Sequence, residues 1–401
     1  MCLDCGCGSN DMNVVSVEAG PRDRDDVFVT MECCPGTECS GAHEVYEVDE
    51  DGNAVEEVPC QCVVTDFAPA GEPKGELIWK IDHMDAGATK RFAVGPGEAE
   101  EKPTDVAIDI TEGDRADFTV NGDFFTSYVV RDGIPRPFCA PVTGPGGLEV
   151  TREVNFPPKE GIDHIHHKGI WVAQGDVNGH DNWSEQEGHA KTVNRELTVD
   201  AQGPLFAQLH AFNDWVTADD QKLLREDTFI RLYNTPDTGR IMDLNTVWTA
   251  AYGGVFFADT KEAGTVSIRL KESMEEREGG TIVNAFGAIG EAENWGKPSP
   301  WVDYYGPVQD RVCGVTIMDH PDNFRYPTTW HVRGYGLFTA NQWGIHDFTG
   351  DWSRRGDYAM EQGQSLCFRF RIYIHEGSTK EANPGEQWLN WAFGPCVSEP
   401  E

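Results

Sequence analysis

The residues of this chain that could do chemistry are concentrated in one stretch, residues 163–189. It holds five of the twelve histidines, which are His164, His166, His167, His180 and His189. Acidic side chains and two tryptophans, Trp171 and Trp183, lie among them. Imidazole titrates near neutral pH and ligates metals, carboxylates act as acids, bases or ligands, and indole faces stack on sugar-like ligands. The density of such groups predicts that this stretch lines a pocket.

The spacing of the first three histidines allows two kinds of chemistry. On a strand, His164 and His166 would point to one face and His167 to the other. Two converging imidazoles predict either a divalent metal site, completed by Glu185 or His189, or a histidine acting as an acid–base pair with Glu185. The competing interpretation is that at least one of the three is a structural histidine that hydrogen-bonds in the interior.

The same stretch supplies candidate substrate-binding residues. Asp176, Asn178 and Asp181 lie in a loop punctuated by glycine, which predicts either ligand contacts, including Ca²⁺ ligation, or an Asx-rich turn. Asp176, Asn178 and His180 are the candidate substrate-binding residues of this loop. Trp171 and Trp183 are candidates for stacking on a sugar, although most aromatic residues of a β-sandwich belong to its core. We expect Trp183 to be the better candidate of the two.

Further candidates lie outside this stretch. Arg152 and Arg333 carry planar guanidinium groups that suit carboxylates or sugar hydroxyls, while a buried ion pair is an equal alternative for Arg152. Tyr305 is a second candidate for sugar stacking. His331 and Asn341 lie in one later motif, and we expect both to return to the same pocket from distant strands.

The first 65 residues contain eight of the twelve cysteines. Their spacings are C-x2-C-x-C, CC-x4-C and C-x-C, formed by Cys2, Cys5, Cys7, Cys33, Cys34, Cys39, Cys60 and Cys62. Thiolates grouped in this way suit Zn²⁺ or an iron–sulfur cluster, and so short a segment needs a staple of this kind. The alternative is a redox-sensitive tail with free thiols. We predict a small metal-binding module over residues 1–65, with the metal left open.

The charge balance excludes two classes of partner. The chain has 32 basic and 68 acidic residues, a net charge of -36 and a pI near 4.5. Such a surface repels nucleic-acid phosphate and anionic membranes. It suits a halophilic, salt-rich cytoplasm, in which a dense acidic surface stays hydrated, and the alternative is an ordinary acidic protein. Since no apolar run reaches transmembrane length and no signal peptide is recognisable, we expect a cytoplasmic protein.

The elements that must position these residues read as strands. Short apolar runs separated by Gly and Pro recur from residue 66 onward, and residues 45–58 and 228–250 predict hairpins. The run at residues 367–375 alternates apolar and polar side chains, as a strand with one buried face does. Only LKESMEEREG and GEQWLNWAF have helical patterning. The sequence predicts an all-β fold, with a large antiparallel β-sandwich at residues 66–401 after the Cys-rich module.

Four motifs together resemble one family. They are TSYVVRDGIPRPFCAPVTGPGGLEVTREVNF, DHIHHKGIWVAQGDVNGHDNW, NAFGAIGEAENWGKPSPWVDYYG and MDHPDNFRYPTTWHVRGYGLFTANQWG. Over about residues 67–395 the chain resembles the PmoA-like family, also described as DUF6807, with Ile165 and Lys168 in place of the family's usual proline and arginine. The resemblance implies a galactose-mutarotase-like β-supersandwich and a carbohydrate-linked function, often beside sugar-oxidising dehydrogenases. The Cys-rich N-terminus is not part of the family pattern.

The leading functional hypothesis is a carbohydrate-active enzyme. It would act on a sugar or keto-sugar by acid–base or metal-assisted chemistry, and hydrolysis, elimination and epimerisation all stay open. The candidate catalytic residues are His164, His166, His167, Glu185 and His331. One alternative is a non-catalytic carbohydrate-binding protein, and another is a metal or redox sensor that uses the Cys-rich module. The expected partners are a small carbohydrate and a sugar dehydrogenase of the same pathway.

Overall fold

The computed structural model describes residues 12–32, 42–65, 74–97 and 103–398. Six of the eight N-terminal cysteines (Cys2, Cys5, Cys7, Cys33, Cys34 and Cys39) lie outside these residues. Strands dominate the described chain, and all pairs between named strands are antiparallel. The predicted all-β fold with large antiparallel sheets is therefore confirmed.

A small sandwich, formed by residues 13–96 and a short C-terminal strand, comes first in the chain. Its five-stranded sheet has the order β26-β1-β7-β3-β4, with β1 Asn13–Glu18, β3 His43–Val48, β4 Ala54–Val58, β7 Thr89–Pro96 and β26 Cys396–Val397. Its three-stranded sheet has the order β2-β6-β5, with β2 Arg24–Glu32, β5 Cys60–Thr65 and β6 Lys74–Met84. The predicted boundary at residue 65 falls between β5 and β6, which are paired neighbours.

The small sandwich has its own apolar core. The strands that follow residue 65 contribute buried side chains to this core and therefore belong to the small sandwich. Val15, Val29, Trp79 and Phe92 come from both sheets and are buried in one cluster. The hairpin expected at residues 45–58 is confirmed, because Val45 pairs with Val58 in antiparallel register. Alternating burial along these strands places one face of each sheet against the other.

The main sandwich consists of two eight-stranded sheets. We call the first of them sheet I, and its strand order is β22-β23-β18-β12-β11-β10-β9-β8. Its strands are β8 Val106–Thr111, β9 Arg115–Val120, β10 Asp123–Val129, β11 Phe138–Val142, β12 Ile170–Gln174, β18 Ala263–Arg269, β22 Thr329–Val332 and β23 Leu337–Asn341. The histidine stretch begins in the long connection between β11 and β12 and therefore belongs to this sheet.

The second sheet, sheet II, has the order β13-β14-β15-β16-β25-β21-β20-β19. Its strands are β13 Lys191–Ala201, β14 Phe206–Val216, β15 Lys222–Tyr233, β16 Gly239–Thr249, β19 Thr281–Asn284, β20 Trp301–Val308, β21 Arg311–Asp319 and β25 Ser365–Glu376. The hairpin expected at residues 228–250 is β15 and β16. A separate two-stranded ribbon pairs β17 Val255–Phe257 with β24 Tyr358–Met360.

The main core lies between sheets I and II. On β25 the predicted alternation is confirmed, since Phe368, Phe370, Ile372 and Ile374 are buried in this core. Arginines alternate with these residues and lie on the outer face of sheet II. A core of this size supplies most of the stabilisation, at about 25 cal/mol for each Å² of apolar surface removed from water.

Helices are short and few in the described chain. They are α1 Glu291–Asn294, α2 Ile345–Thr349, α3 Thr379–Ala382 and α4 Pro384–Ala392. The helix expected from GEQWLNWAF is α4. The helix expected from LKESMEEREG is wrong, because that segment forms two 3₁₀ turns, Glu272–Met274 and Glu276–Glu278, with Gly279 in a left-handed conformation after the second. Among the described residues, no helix has the length and apolarity needed to span a membrane.

Candidate functional site

The three central histidines lie in a turn, not on a strand. Residues 163–169 precede β12, and the His167 amide donates a 2.9 Å hydrogen bond to the His164 carbonyl. His164 has a φ of 42°, in the left-handed region that few non-glycine residues adopt. The expectation that a strand would send His167 to the opposite face is therefore wrong, since the turn gathers all three rings.

The three imidazoles are in mutual contact on the outer face of sheet I. The His164 and His167 rings stack with centroids 4.8 Å apart, and His166 meets His167 edge-on at 4.4 Å. The Tyr335 ring lies nearly parallel to both of the stacked histidines, with its centroid 5.2 Å from that of His164 and 6.4 Å from that of His167. Trp171, which is on β12, lies beneath His167 at 5.4 Å. The tyrosine comes from the β22–β23 turn, so the cluster joins two distant parts of the chain.

Asp163 orients His164. The His164 Nδ1 donates a 2.7 Å hydrogen bond to Asp163 Oδ2, and both side chains are about half exposed. Arg152 donates to the other carboxylate oxygen at 2.8 Å and also to the His164 and His167 carbonyls. Burial opposes ionisation of Asp163, but the His164 hydrogen bond and the charges of Arg269 and Arg152 outweigh it and lower its pKa. Within the described part of the chain, the His164 Nε2 has no hydrogen-bond partner.

His166 and His167 are held in their neutral forms. Burial, with the nearby Arg136, lowers the pKa of His166 to about 3. Burial lowers the pKa of His167 further, and Arg269 donates to its Nδ1 at 3.4 Å. His166 is half-buried; its carbonyl accepts a hydrogen bond from Arg136 at 3.5 Å, but its ring makes no hydrogen bond to any other described residue. Its ring therefore keeps an unused nitrogen lone pair, which is what a general base or a metal ligand needs.

Glu185 is tied to two buried cations. It accepts a 2.9 Å hydrogen bond from Arg136 and bonds of 2.5 and 2.6 Å from Lys168. Burial lowers the pKa of Lys168 and that of Arg136, while the Glu185 charge opposes both shifts. Arg136 also donates to the carbonyls of Asn182 and Trp183. This carboxylate fixes the loop beside the histidines, and the catalytic function expected of it stays a prediction.

The two tryptophans of the stretch form the floor of the cluster. Trp171 and Trp183 are each 1% exposed and lie with their rings 5.7 Å apart. They pack with Phe138 and Leu337 in an apolar cluster on the outer face of sheet I. A buried indole presents no open face to a sugar, so the expectation that Trp183 is an accessible stacking surface is corrected. The aromatic ring at the rim is Tyr335.

The loop after β12 turns away from the histidine cluster. Asp176 accepts the Gly179 amide at 2.8 Å, which makes the Asx turn that was the alternative interpretation. The Asn178 side chain accepts the Phe256 amide at 2.7 Å and so pins the loop to β17. His180 lies near the charge of Asp219, in the turn between β14 and β15. The structure gives these residues anchoring contacts and brings none of the three to the cluster.

The candidate residues of the later motif lie in two places, some in the interior and one at the rim of the histidine cluster. His331 is buried, its Nδ1 donates to the Lys261 carbonyl at 2.8 Å, and burial lowers its pKa to about 4. Asn341 donates to the same carbonyl at 2.9 Å. Both side chains hold a neighbouring loop and do not reach the three histidines. Arg333, in contrast, lies over Tyr335 at 5.6 Å and reaches the rim.

Tyr305 lies apart from the cluster as well. It is half-buried on β20, where it pairs with Thr281 at one edge of sheet II. Among the described residues, no hydrogen bond or ring contact joins Tyr305 to the histidine cluster on sheet I. The expectation that it shares a sugar site with the histidines is not met.

Four residues at the cluster were not found from the sequence. Arg136, Arg269 and Lys168 surround the histidines with positive charge, and Tyr335 forms the rim. Arg269 lies on β18 and is positioned by its pairing with Leu337 on β23. For Lys168 and Tyr335, the sequence feature that could have identified them was their position within the motifs, Tyr335 being part of HVRGYG. Arg269 gives no such signal, because only the sheet order brings it close.

The two described cysteines of the N-terminal group, Cys60 and Cys62, both contact His43. Cys60 donates to the His43 carbonyl at 3.1 Å, and the Cys62 thiol lies 3.1 Å from His43 Nδ1. Within residues 12–32, 42–65, 74–97 and 103–398, no group of three or more His, Cys, Asp or Glu side chains is arranged to hold a metal ion. The remaining N-terminal cysteines lie outside these ranges, so the zinc or iron–sulfur module stays a prediction.

An all-β sandwich with a histidine–arginine cluster on one outer face is the class that this fold and site define. Residues 115–388 match the model of a family of unknown function, DUF6807, and the chain belongs to this family. The matched range includes the entire histidine stretch, Arg136 and Arg269. It begins after the small sandwich, so the Cys-rich N-terminus lies outside it.

Comparisons with other proteins add little to this family match. A search of curated proteins found no match. One aligned structure is a protein in the glycosyl hydrolase family 38 from Enterococcus faecalis, with a TM-score of 0.43 and 10% identity. Another is an alpha-mannosidase from Enterococcus faecalis V583, with a TM-score of 0.41 and 13% identity. The alignments cover 99% of this chain but only 48% and 47% of those chains, so the chain spans about half their length.

Proposed function

We propose that this protein is an acid–base enzyme acting on a sugar or keto-sugar at the histidine cluster. The observation that carries the proposal is the Asp163–His164 pair beside the unbonded ring of His166. A carboxylate on Nδ1 leaves the Nε2 of an imidazole as the acceptor for a substrate proton. The carbohydrate class comes from the family resemblance, because nothing at the rim selects a sugar by itself.

Each residue has a defined part in this proposal. His164, oriented by Asp163, removes a proton from a hydroxyl or from a carbon beside a carbonyl. His166, whose ring centroid is 5.8 Å from that of His164, has an unprotonated ring nitrogen that receives a proton, while the protonated His164 returns the one it removed. Tyr335 offers its ring as a wall, and the half-exposed Arg333 binds hydroxyl or carbonyl oxygens.

The surrounding cations support the same chemistry. Arg152 and Arg269 are 3% and 2% exposed and flank Asp163 and His167. Their charges favour the anion that forms when a hydroxyl or an α-carbon loses its proton, and low dielectric strengthens this effect. His167 is 2% exposed and its Nδ1 accepts from Arg269, which makes it a packing partner of His164 and not a proton carrier. The reaction would therefore use two histidines out of three.

The test is a turnover assay with substrates whose reaction is visible. Nitrophenyl pyranosides, with and without one ring hydroxyl oxidised to a ketone, report hydrolysis or elimination by release of nitrophenol. Anomer and epimer exchange of the free sugars is followed by proton NMR. His164→Asn should lower kcat by about 10²–10⁴-fold, the usual worth of a general base, with a smaller change in KM. His166→Asn should act in the same direction.

The matched control is His83→Asn, an exposed histidine of the small sandwich that bonds to Asp25 and Asp85. It should keep full activity. Sugar binding without turnover by the unmodified protein, lost in His164→Asn, would overturn the enzyme proposal in favour of a binding protein. If His164→Asn and the unmodified protein had equal activity, the cluster would not be the active site.

A further inference from the structure

A polar cleft lies on the side of the main sandwich opposite to the histidine cluster. It opens where the small sandwich and α4 meet the outer face of sheet II, and its volume is about 410 Å³. Clefts of ~300–1,000 Å³ are the usual size of small-molecule sites. The histidine mechanism uses none of the residues that line this cleft.

The floor of the cleft is one row of side chains across four strands. The antiparallel register pairs Gln208 with Arg231, Arg231 with Asp243, and Asp243 with Arg371. These side chains face outward because their neighbours along each strand, such as Ile230 and Phe370, are buried between the sheets. Sheet II therefore presents a continuous polar strip to the cleft.

The walls come from β2 and from α4. Trp391 on α4 is partly exposed, meets His320 edge-on at 5.0 Å and lies beside Arg371, whose guanidinium is 5.3 Å from its ring centroid. Arg24, on β2, donates to Asn390 on α4 at 3.0 Å and so joins the two walls. The cleft is thus a rigid feature to which three parts of the fold contribute.

Two arginines of the cleft are paired with carboxylates that also line it. Its arginines are Arg231, Arg369 and Arg371, and its carboxylates are Asp26, Glu32, Glu76 and Asp243. Arg371 donates to Asp243 at 2.7 and 2.9 Å, and Arg231 donates to Glu76 at 2.8 Å. Since three cations face four carboxylates, an anionic ligand would meet net repulsion.

Uncharged polar groups remain available in the same space. The amides of Asn245 and Gln387 make no hydrogen bond to other described residues and line the cleft. The Nδ1 of His320 accepts the Asp322 amide at 3.2 Å, which leaves Nε2 as a donor. Amides both donate and accept, as sugar hydroxyls do, and an indole face suits the C–H face of a pyranose.

We propose that this cleft is a second binding site, for a neutral polyhydroxylated ligand such as a mono- or disaccharide, which stacks on Trp391 and hydrogen-bonds to Asn245, Gln387 and His320. This site is independent of the histidine cluster. Because β2 and α4 form its walls, an occupied site also clamps the small sandwich to sheet II. The ligand is therefore expected to protect both elements from hydrogen exchange.

The test uses the full chain with glucose, galactose, maltose and cellobiose at millimolar concentrations, observed by saturation-transfer NMR and calorimetry. At least one sugar should bind, and Asn245→Ala should raise its Kd by about 3- to 10-fold, the worth of one neutral hydrogen bond. Trp391→Phe, which keeps a ring and preserves α4, should raise it by a few-fold. Hydrogen exchange at β2 and α4 should slow with that sugar.

Matched variants separate this site from the histidine site. Trp352→Ala removes an exposed indole elsewhere and should leave the Kd unchanged, and His164→Asn should also leave it unchanged. Glucuronate and glucose 6-phosphate should bind more weakly than the neutral sugars. Tighter binding of either anion, unchanged affinity in both Asn245→Ala and Trp391→Phe, or no binding of any of the four sugars would overturn the proposal.

Discussion

The Lys168 ammonium donates to both carboxylate oxygens of Glu185, at 2.5 and 2.6 Å, with the two side chains 5% and 8% exposed. The contact ties the histidine turn to the loop that follows Trp183. Arg136 adds a second buried cation to the same carboxylate. Glu185 is thus the carboxylate that both buried cations contact. We therefore expect its substitution to lower the free energy of unfolding.

Glu185→Gln should therefore destabilise the fold strongly. It leaves Arg136 and Lys168 buried without the carboxylate that both of them contact, and breaking a buried pair in this way costs about 3–5 kcal/mol. The measurement is the free energy of unfolding from urea titration. Lys159→Met provides the control, since the exposed Lys159–Glu153 pair is screened by solvent and should contribute little to stability. A stable but inactive Glu185→Gln protein would instead restore Glu185 as the base.

Asp163→Asn should alter His164 without removing it. The amide cannot hold the Nδ1–H tautomer as the carboxylate does, so Nε2 would no longer be fixed as the acceptor. We expect kcat to fall by about 10²–10⁴-fold, with ¹⁵N NMR showing a changed His164 tautomer. Asp82→Asn, at a carboxylate that is 90% exposed, should change neither quantity. An unchanged His164 tautomer in Asp163→Asn would contradict the assignment.

His166 should make stability depend on pH on the acidic side. Its pKa of about 3 in the folded chain is below the usual 6.5, so folding favours the neutral ring. This contribution is complete above pH 6.5 and is lost as the pH falls from 6.5 towards 3. The unfolding free energy of His166→Gln should therefore decline less than that of the unmodified protein between pH 7 and pH 4.

His83 gives an opposite control for this pH effect. Hydrogen bonds to Asp25 and Asp85 raise the pKa of His83, so its contribution is present at low pH and is lost as the pH rises through the folded value. His83→Asn should thus change the pH dependence in the reverse direction, and only slightly because the side chain is exposed. If the unfolding free energy of His166→Gln changed with pH in the same way as that of the unmodified protein, the lowered pKa of His166 would be refuted.

We expect metal binding by this protein to depend on the N-terminal cysteines. The full chain should carry zinc or iron, measured by mass spectrometry, and Cys2→Ser with Cys5→Ser should remove it because thiolates are the ligands. Cys396→Ser, at an exposed cysteine near the C-terminus, is the control and should retain the metal. A metal that persists in the double variant but leaves with His166→Ala would place it at the histidine cluster instead.

The strands and the composition of the cluster could be predicted because they depend on local pattern. The alternation of Phe368, Phe370, Ile372 and Ile374 fixed the inner face of β25, and the histidine spacing marked the site. The two 3₁₀ turns at residues 272–278 were missed, because charged residues with good helix propensity do not form a helix without an apolar face to bury. Trp183 was misjudged because an indole suits a sugar and a core equally well.

The sequence by itself determined the fold class, the net negative charge, the family and the stretch that bears the histidines, since all of these depend on residue type and short-range spacing. Only the tertiary structure decided which partners each histidine has. Arg269 reaches His167 from β18, and Tyr335 reaches His164 from the β22–β23 turn. The cleft beneath α4 likewise depends on strand register. Contacts between residues more than a hundred positions apart follow from sheet order, which no local pattern encodes.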